Sequence, residues 1–368
     1  MEKTIVIEIG ELLIKLGIGG EVNPRIICSD YLLYNDDNNE KLLKDKLQYM
    51  FTTFFSQYIP FKSKDCRVLV IEKLLSKKIL RDCLVSTLLL DFQVLSISLQ
   101  PDLLMPILTS TKSSGIIIDI GINECIVIAI AYGYIILQSL KVAAVGINNC
   151  IQKFKKNIEM IIGNEIDSKS SKDLFHKISF CPNPEIESKD LYVAPREGLS
   201  KFGFNISTKQ SSSCFNHLVH GTIEDDNDND EIGGVSSAIL ECLRACPYDV
   251  RSLVSSNIMF CGEGSDIPGL SSSICREATI KLKNDSKYIN LKEIVNTFTV
   301  EENNYKNSNL AWIGGSLFSS LTSNNTKFLK LKDLSNESSS TASIVSAPDW
   351  ISTKPDECIF FGPSTLQS

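Results

Sequence analysis

Histidine is scarce and basic charge is not in excess. The three histidines, His176, His217 and His220, lie away from any cysteine pair, so no zinc-type ligand spacing is present. Twelve cysteines occur without a single CxxC, and the closest two, Cys242 and Cys246, have helical spacing. That usage fits reduced, buried thiols in a cytosolic protein. A net charge of −7, a pI near 5.2 and the lack of a basic arm argue against a general nucleic-acid binder. No signal-type apolar region opens the chain, because Glu2 and Lys3 lead directly into a strand. A membrane span is absent too: the longest apolar stretch, Gly115 to Leu137, holds Asp119, Asn123 and Glu124, which are costly in hydrocarbon.

What that stretch does contain is informative. In GIIIDIGINECIVIAIAYGYIIL, Ile116-Ile117-Ile118 runs into Asp119 and Gly121, and a second apolar run begins at Cys125. β-branched residues dominate, which predicts two buried strands joined by a tight acidic turn. The N-terminus repeats the device. Thr4-Ile5-Val6-Ile7 leads into Glu8, Ile9 and Gly10, and an apolar segment follows from Leu12. Strand, acid, spacer, glycine thus occurs twice, which predicts two similar α/β halves. At 368 residues and 43% hydrophobic content the chain can form two packed domains.

Between these landmarks, alternation favours α/β architecture. A strand Ile26–Cys28 precedes a polar loop over 35–40. Helices are predicted for Lys41–Tyr58 and Ser76–Leu88, strands for Cys66–Ile71 and Val94–Leu99, and a helix starting at Pro101. After the central hairpin comes a helix Val145–Ile162, with its lysines on the solvated side. Residues 163–213 give no assignable pattern. The run Glu224–Glu231 reads as a solvated acidic loop and not as a calcium loop: Glu231 holds the turn-glycine slot and Ser237 the closing position. Helices Val235–Ala245 and Asp249–Ser255, a strand Asn257–Cys261, a loop Gly262–Gly269 and a helix from Leu270 follow. Ala311–Phe318 mixes small and aromatic residues, and 335–346 reads as a flexible insert before Pro348-Asp349-Trp350.

Three glycine-bearing loops each follow a buried strand: at Gly10, at Gly121 and at Gly262/Gly264. Glycine lets backbone N–H groups approach phosphates without an intervening side chain. Lys15 offers a cation to phosphate, and Glu8 and Asp119 offer hard oxygens to Mg²⁺ through water. A lone GxG is a common turn; the three together carry the signal. Gly17, Gly146 and Gly314-Gly315 have a plainer reading as close-packing positions, and Trp312 as core.

The order and wording of these segments resemble the actin superfamily. IVIEIGELLIKLGIGGEVNPR is similar to its first phosphate loop, the Gly115–Leu137 stretch to its second, NIMFCGEGSDIPGL to its adenosine-side loop, and LAWIGGSLFSSL to the motif after it. The resemblance implies an actin-like (ribonuclease H-like) two-domain α/β fold around a nucleotide cleft, with residues 1–113 plus 310–368 as the first domain and 114–309 as the second. It implies ATP or ADP with Mg²⁺ as a structural ligand. Gly10, Lys15, Asp119, Gly121, Gly146, Gly262 and Gly264 would face nucleotide, with Glu8 and Asp119 toward the metal; for Gly146, contact and packing remain alternatives.

Within the superfamily, Glu11 after Gly10, AILECLRACPYDVRSL and APDW resemble the actin-related branch found in dynactin. That implies a cytoplasmic, cytoskeletal subunit that supports dynein-driven transport on microtubules. Its partners would be other actin-related subunits of a short filament, non-actin pointed-end subunits, and dynein indirectly. Only a few polar residues separate Ile26–Cys28 from the helix near Lys41, so the small subdomain of the first domain is reduced. An actin-like or sugar-kinase-like phosphotransferase and a chromatin-associated actin-related protein are the alternatives.

The chain departs from an active ATPase of that family. Glu11 and Leu12 stand where the family has serine and glycine. A carboxylate about 4 Å from a phosphate oxygen would cost on the order of 4 kcal/mol at an effective dielectric near 20. The resemblance aligns the second acid of the central hairpin with Ile122, its water-ordering histidine with Ile126, and its water-positioning glutamine with Asp102, with Gln100 nearby. Glu8 replaces an aspartate. Hydrolysis needs an oriented water, so negligible turnover is expected.

Overall fold

The computed structural model describes residues 3–11, 13–29, 39–74, 76–181, 190–193, 203–221 and 234–321. The acidic run 224–231, the insert 335–346 and the segment at Trp350 therefore lie outside the described residues. The chain divides into two compact units. One holds Met1–Ser113, Tyr132–Tyr134 and Asn309–Ser368; the other holds Ser114–Ala131 and Ile135–Ser308.

The first unit is built on a five-stranded sheet of β1 (Lys3–Ile9), β2 (Leu13–Ile18), β3 (Ile26–Ser29), β4 (Cys66–Glu72) and β5 (Ser96–Pro101). Their order is β3-β2-β1-β4-β5. β1 runs antiparallel to β2 and parallel to β4, and β4 runs parallel to β5. Side chains alternate across a strand, and in β1 and β4 both faces are buried, which is why Ile5–Ile7 and Val68–Ile71 read as unbroken apolar runs. Ile5, Ile7, Val68 and Val70 pack with Leu43, Leu47, Phe51 and Phe54 of the helix Glu40–Gln57. Val6, Leu69 and Ile71 pack on the opposite face with Trp312, Ile313 and Phe318 of the helix Leu310–Leu321. Trp312 Nε1 donates to the Val6 carbonyl at 3.2 Å, and a Cβ on Gly17 would overlap the Trp312 ring.

The second unit repeats the device. Its four-stranded sheet has the order β11-β6-β7-β8, from β6 (Gly115–Ile120), β7 (Cys125–Ala131), β8 (Tyr134–Ala143) and β11 (Ile258–Cys261). β6 runs antiparallel to β7 and parallel to β11, as β1 does to β2 and β4. Ile116, Ile118, Ile120, Cys125, Val127 and Ala129 join one large core with Phe154, Ile239 and Ile274 from three helices, Ile147–Ile162, Gly234–Ala245 and Leu270–Asn284.

Two stretches differ from expectation. The helix predicted from Pro101 is absent: Pro101 ends β5, and a 3₁₀ turn at Met105–Thr109 follows with Pro106 at its start. Proline cannot donate inside a helix, and this chain places two of them five residues apart. The unassigned stretch holds a helix Ser168–Ile178, started by Asp167, which accepts from Ser170 N at 2.8 Å. It also holds the antiparallel pair β9 (Asp190–Val193) and β10 (Phe204–Ser207), and a short helix Thr208–Ser213 begun by a Ser207/Gln210 capping box.

The eleven described cysteines form no disulfide with one another, and all are buried except Cys28. Burial pushes the Cys66 thiol up to about 11 and that of Cys275 up to about 12, so they act as packing groups. Among the described residues no helix is long and apolar enough to cross a membrane.

Candidate functional site

The residues singled out in the sequence fall in two sets, one in each unit. In the first unit, Gly10 closes the β1–β2 turn by donating to the Leu13 carbonyl at 2.9 Å. A hairpin closed there puts Glu8 directly opposite Lys15. The pairing brings Lys15 Nζ to 2.7 Å from Glu8 Oε1, with side chains 4% and 12% exposed. Both lie on the face of the sheet that carries Val6, because positions two apart on a strand share a face and Lys15 is the cross-strand partner of Glu8. Glu8 Oε2 is buried without a hydrogen-bond partner, and so is Oε2 of Glu11. Sequence reasoning assigned Glu8 to metal and Lys15 to phosphate separately and missed their contact. The signal was available: equal offsets from the turn make cross-strand neighbours.

In the second unit, Asp119, Gly121, Gly146, Gly262 and Gly264 come together. Asp119 lies on β6 beside Cys261 of β11 and opposite Ile126 of β7. A Cβ on Gly262, whose φ is +85°, would overlap Asp119 Oδ1, so the loop after β11 folds against that carboxylate. Gly264 donates to the Ile120 carbonyl at 3.0 Å and Gly121 to that of Glu124 at 3.1 Å. The hairpin turn also caps a helix: Ile147 N donates to the Gly121 carbonyl at 3.1 Å, and Asn148 N to that of Ile122 at 2.9 Å. Gly146, the residue before this helix, donates its own N–H to Asn149 Oδ1 at 3.1 Å. A Cβ on Gly146 would overlap the Ile122 backbone. Close packing thus accounts for glycine at 146 whatever else it touches.

The places that the resemblance gives to water-ordering groups are filled otherwise. Ile126 and Ile122 are buried. Asp102 Oδ1 accepts from Leu103 N at 2.8 Å and so braces its own turn. Gln100 is buried in β5, with Nε2 3.4 Å from Ser98 Oγ.

The Actin family model matches residues 202–333, which takes in β11 and the Gly262–Gly269 loop. Actin-related protein 10 of Dictyostelium discoideum is 23% identical over 398 residues, covering 86% of this chain and 82% of that protein. Actin-related protein 4 of Candida glabrata is 32% identical over 113 residues, 30% of this chain and 21% of that protein. The fold is actin-like.

Each half of this actin-like protein can be tested for its fit to the ligands that the resemblance implies. In the second unit a side chain at Gly262 would overlap Asp119 Oδ1, while the N–H groups of Gly121, Gly146 and Gly264 already donate within the protein, so a phosphate-bearing ligand there would rely on the absence of glycine side chains and not on those donors. In the first unit a cation is present at Lys15, but it already holds a carboxylate. For Mg²⁺, Glu8 presents one buried oxygen without a hydrogen-bond partner. No group of three or more His, Cys, Asp or Glu suited to a metal occurs among the described residues. A magnesium ion there would be held mainly through water and phosphate, as that ion commonly is.

Proposed function

We infer that this protein is a structural actin-related subunit that caps the pointed end of the short actin-related filament of dynactin and so supports dynein-driven transport. The observation that carries the reading is in the first unit. β3 ends at Ser29 and the next helix is capped by Asn39, whose Oδ1 accepts from Leu42 N at 3.2 Å. Nine residues, 30–38, are all that lie between. The resemblance places there the small subdomain with the long loop that reaches the neighbouring subunit on the pointed side. A chain with so short an insert can join a filament by its other end and cannot receive another copy beyond it. Its exposed face is then left to non-actin subunits.

Support comes also from the similarity to actin-related protein 10 along most of the chain and from the division of the chain into two compact units; the domains of this reading are 1–113 plus 310–368 and 114–309. ATP or ADP, with Mg²⁺, would be a resident ligand held by Gly10, Lys15, Asp119, Gly121, Gly146, Gly262 and Gly264, with Glu8 and Asp119 toward the metal. Two measurements test the cap: sedimentation of the purified chain in polymerising buffer, where it should stay in the supernatant, and its position in images of the native complex. Homopolymers, or a place at the barbed end, would refute it. A second reading, an actin-related protein of a different assembly, is favoured by the stretch shared with actin-related protein 4. Mass spectrometry of co-purifying proteins separates the two, since dynactin subunits are expected only under the first.

A further inference from the structure

The β1–β2 turn carries two carboxylates and one ammonium group, and one ion pair among them is enclosed. Glu8 and Lys15 meet at 2.7 Å with side chains 12% and 4% exposed. Water screens neither charge effectively, and a buried charge that loses its partner is strongly destabilising. The second oxygen of Glu8 is buried without a hydrogen-bond partner, as is Oε2 of Glu11. This turn is therefore rich in negative charge before any phosphate arrives.

We propose that Glu8 is the built-in counterion of Lys15: it takes on that ammonium the place a nucleotide phosphate would take, so the first unit keeps its fold without nucleotide. The proposal rests on the reading of Lys15 as phosphate-facing. A phosphate must then displace a carboxylate already in position, and apparent affinity falls by the fraction of molecules in which Lys15 is released. Side-chain length matters. The aspartate that the resemblance puts at this position is one methylene shorter, so Glu8 reaches further across the hairpin than the residue it replaces. Glu8 is on this view a positioning residue, with no part in any chemical step.

The test uses the full chain stripped of nucleotide, with Glu8→Gln, Glu8→Asp, Lys15→Met and the Glu8→Gln/Lys15→Met double variant. Thermal melts with and without ATP or pyrophosphate are set beside titrations with a fluorescent ATP, all in EDTA, so that the place given to Glu8 toward Mg²⁺ does not enter the comparison. The stripped native chain should melt cooperatively, and ATP should move its midpoint little. Glu8→Gln should melt lower when stripped, recover with ATP or pyrophosphate, and bind ATP about tenfold more tightly than the native chain. Glu8→Asp keeps the charge, covers the case in which the glutamine variant does not fold, and should tighten ATP binding in the same direction. Unfolding of the native chain on stripping, or ATP affinity unchanged in both Glu8 variants, overturns the proposal while leaving the nucleotide reading intact. If no form binds ATP, the nucleotide reading falls, and the stripped melts alone decide. A double variant less impaired than the two single losses predict supports the counterion, and simple additivity overturns it.

Discussion

Arg81 and Glu72 are enclosed more completely than the pair at the turn, with side chains 7% and 5% exposed and Nε 2.8 Å from Oε2. Ser76 Oγ also donates to Oε2 at 3.2 Å. Burial raises the Glu72 carboxyl above its ordinary range, against the lowering pull of Arg81 and Ser76. The sign follows from linkage: a carboxyl whose folded pKa exceeds its unfolded one adds stability at low pH, and that contribution is lost as pH rises through the folded pKa. Arg81→Met leaves Glu72 without its cation, and at pH 7 the loss should be roughly 3–5 kcal/mol, as for other broken buried pairs. At pH 5 the loss should be smaller than at pH 7, because burial favours the protonated carboxyl and a larger protonated fraction leaves less charge to compensate. Denaturant melts at the two pH values check this, and an equal loss at both would refute it. Neither Glu72 nor Arg81 stands out in the sequence. One ends a strand and the other lies early in a helix, and only the folding of that helix onto the sheet brings them together. Glu8 and Lys15 are the opposite case, since the hairpin alone dictates their meeting.

Among elements, the helix Leu310–Leu321 shows how close packing fixes residue choice. A Cβ on Gly314 would overlap the Met105 backbone carbonyl, whereas one on Gly315 would meet chiefly the mobile end of the Ile71 side chain. Gly314→Ala should therefore destabilise by about 2–3 kcal/mol, the usual scale of overpacking. Gly315→Ala should change stability by less than about 1 kcal/mol, since Ile71 can rotate and alanine favours the helix by roughly 1 kcal/mol. Equal losses in chemical denaturation would contradict this reading. The acidic run makes a second test. The residues that bracket it are adjacent: a Cβ on Gly234, whose φ is +63°, would overlap Gly221 N. The close carboxylates of the sequence Glu224–Glu231 repel one another. Replacing it with a Gly/Ser linker should leave the melting temperature within about 2 °C, because loop-closure entropy changes slowly with length and composition. A larger fall would mean that the run packs on a basic surface. Strands were the most legible elements, because β1, β4, β6 and β7 are buried on both faces and carry unbroken apolar runs. Helices with short caps were less so. Asp167 and the Ser207/Gln210 box start helices in a stretch whose Ser- and Lys-rich composition hides its apolar positions, Leu174, Phe175 and Ile206.

For the whole molecule, an actin-like fold raises the matter of nucleotide turnover. The device repeated in the two units, an acid near the end of β1 or β6 beside a parallel neighbour, was legible from the sequence because strand, acid, spacer and glycine recur in order. The side chains around that device tell against hydrolysis. Cleavage of a terminal phosphate needs a water held in line by polar groups and charge stabilisation as it reacts. Opposite Asp119 stands Ile126, the turn beyond carries buried Ile122, and Asp102 binds its own backbone. An isoleucine cannot orient water, and a carboxylate occupied by a backbone N–H is poorly placed to do so. In the first unit Glu11 adds negative charge where a serine would donate. The changes at Ile122, Ile126 and Asp102 remove interactions needed only in the transition state, so their loss should fall on turnover and not on occupancy. Purified protein incubated with saturating Mg·ATP should release phosphate no faster than buffer alone, in monomeric and polymerising conditions alike, while ATP recovered from the protein stays intact. Release approaching one phosphate per chain over the course of an actin polymerisation assay would show that water is oriented by groups other than these, and the reading of the chain as a non-hydrolysing subunit would have to be given up.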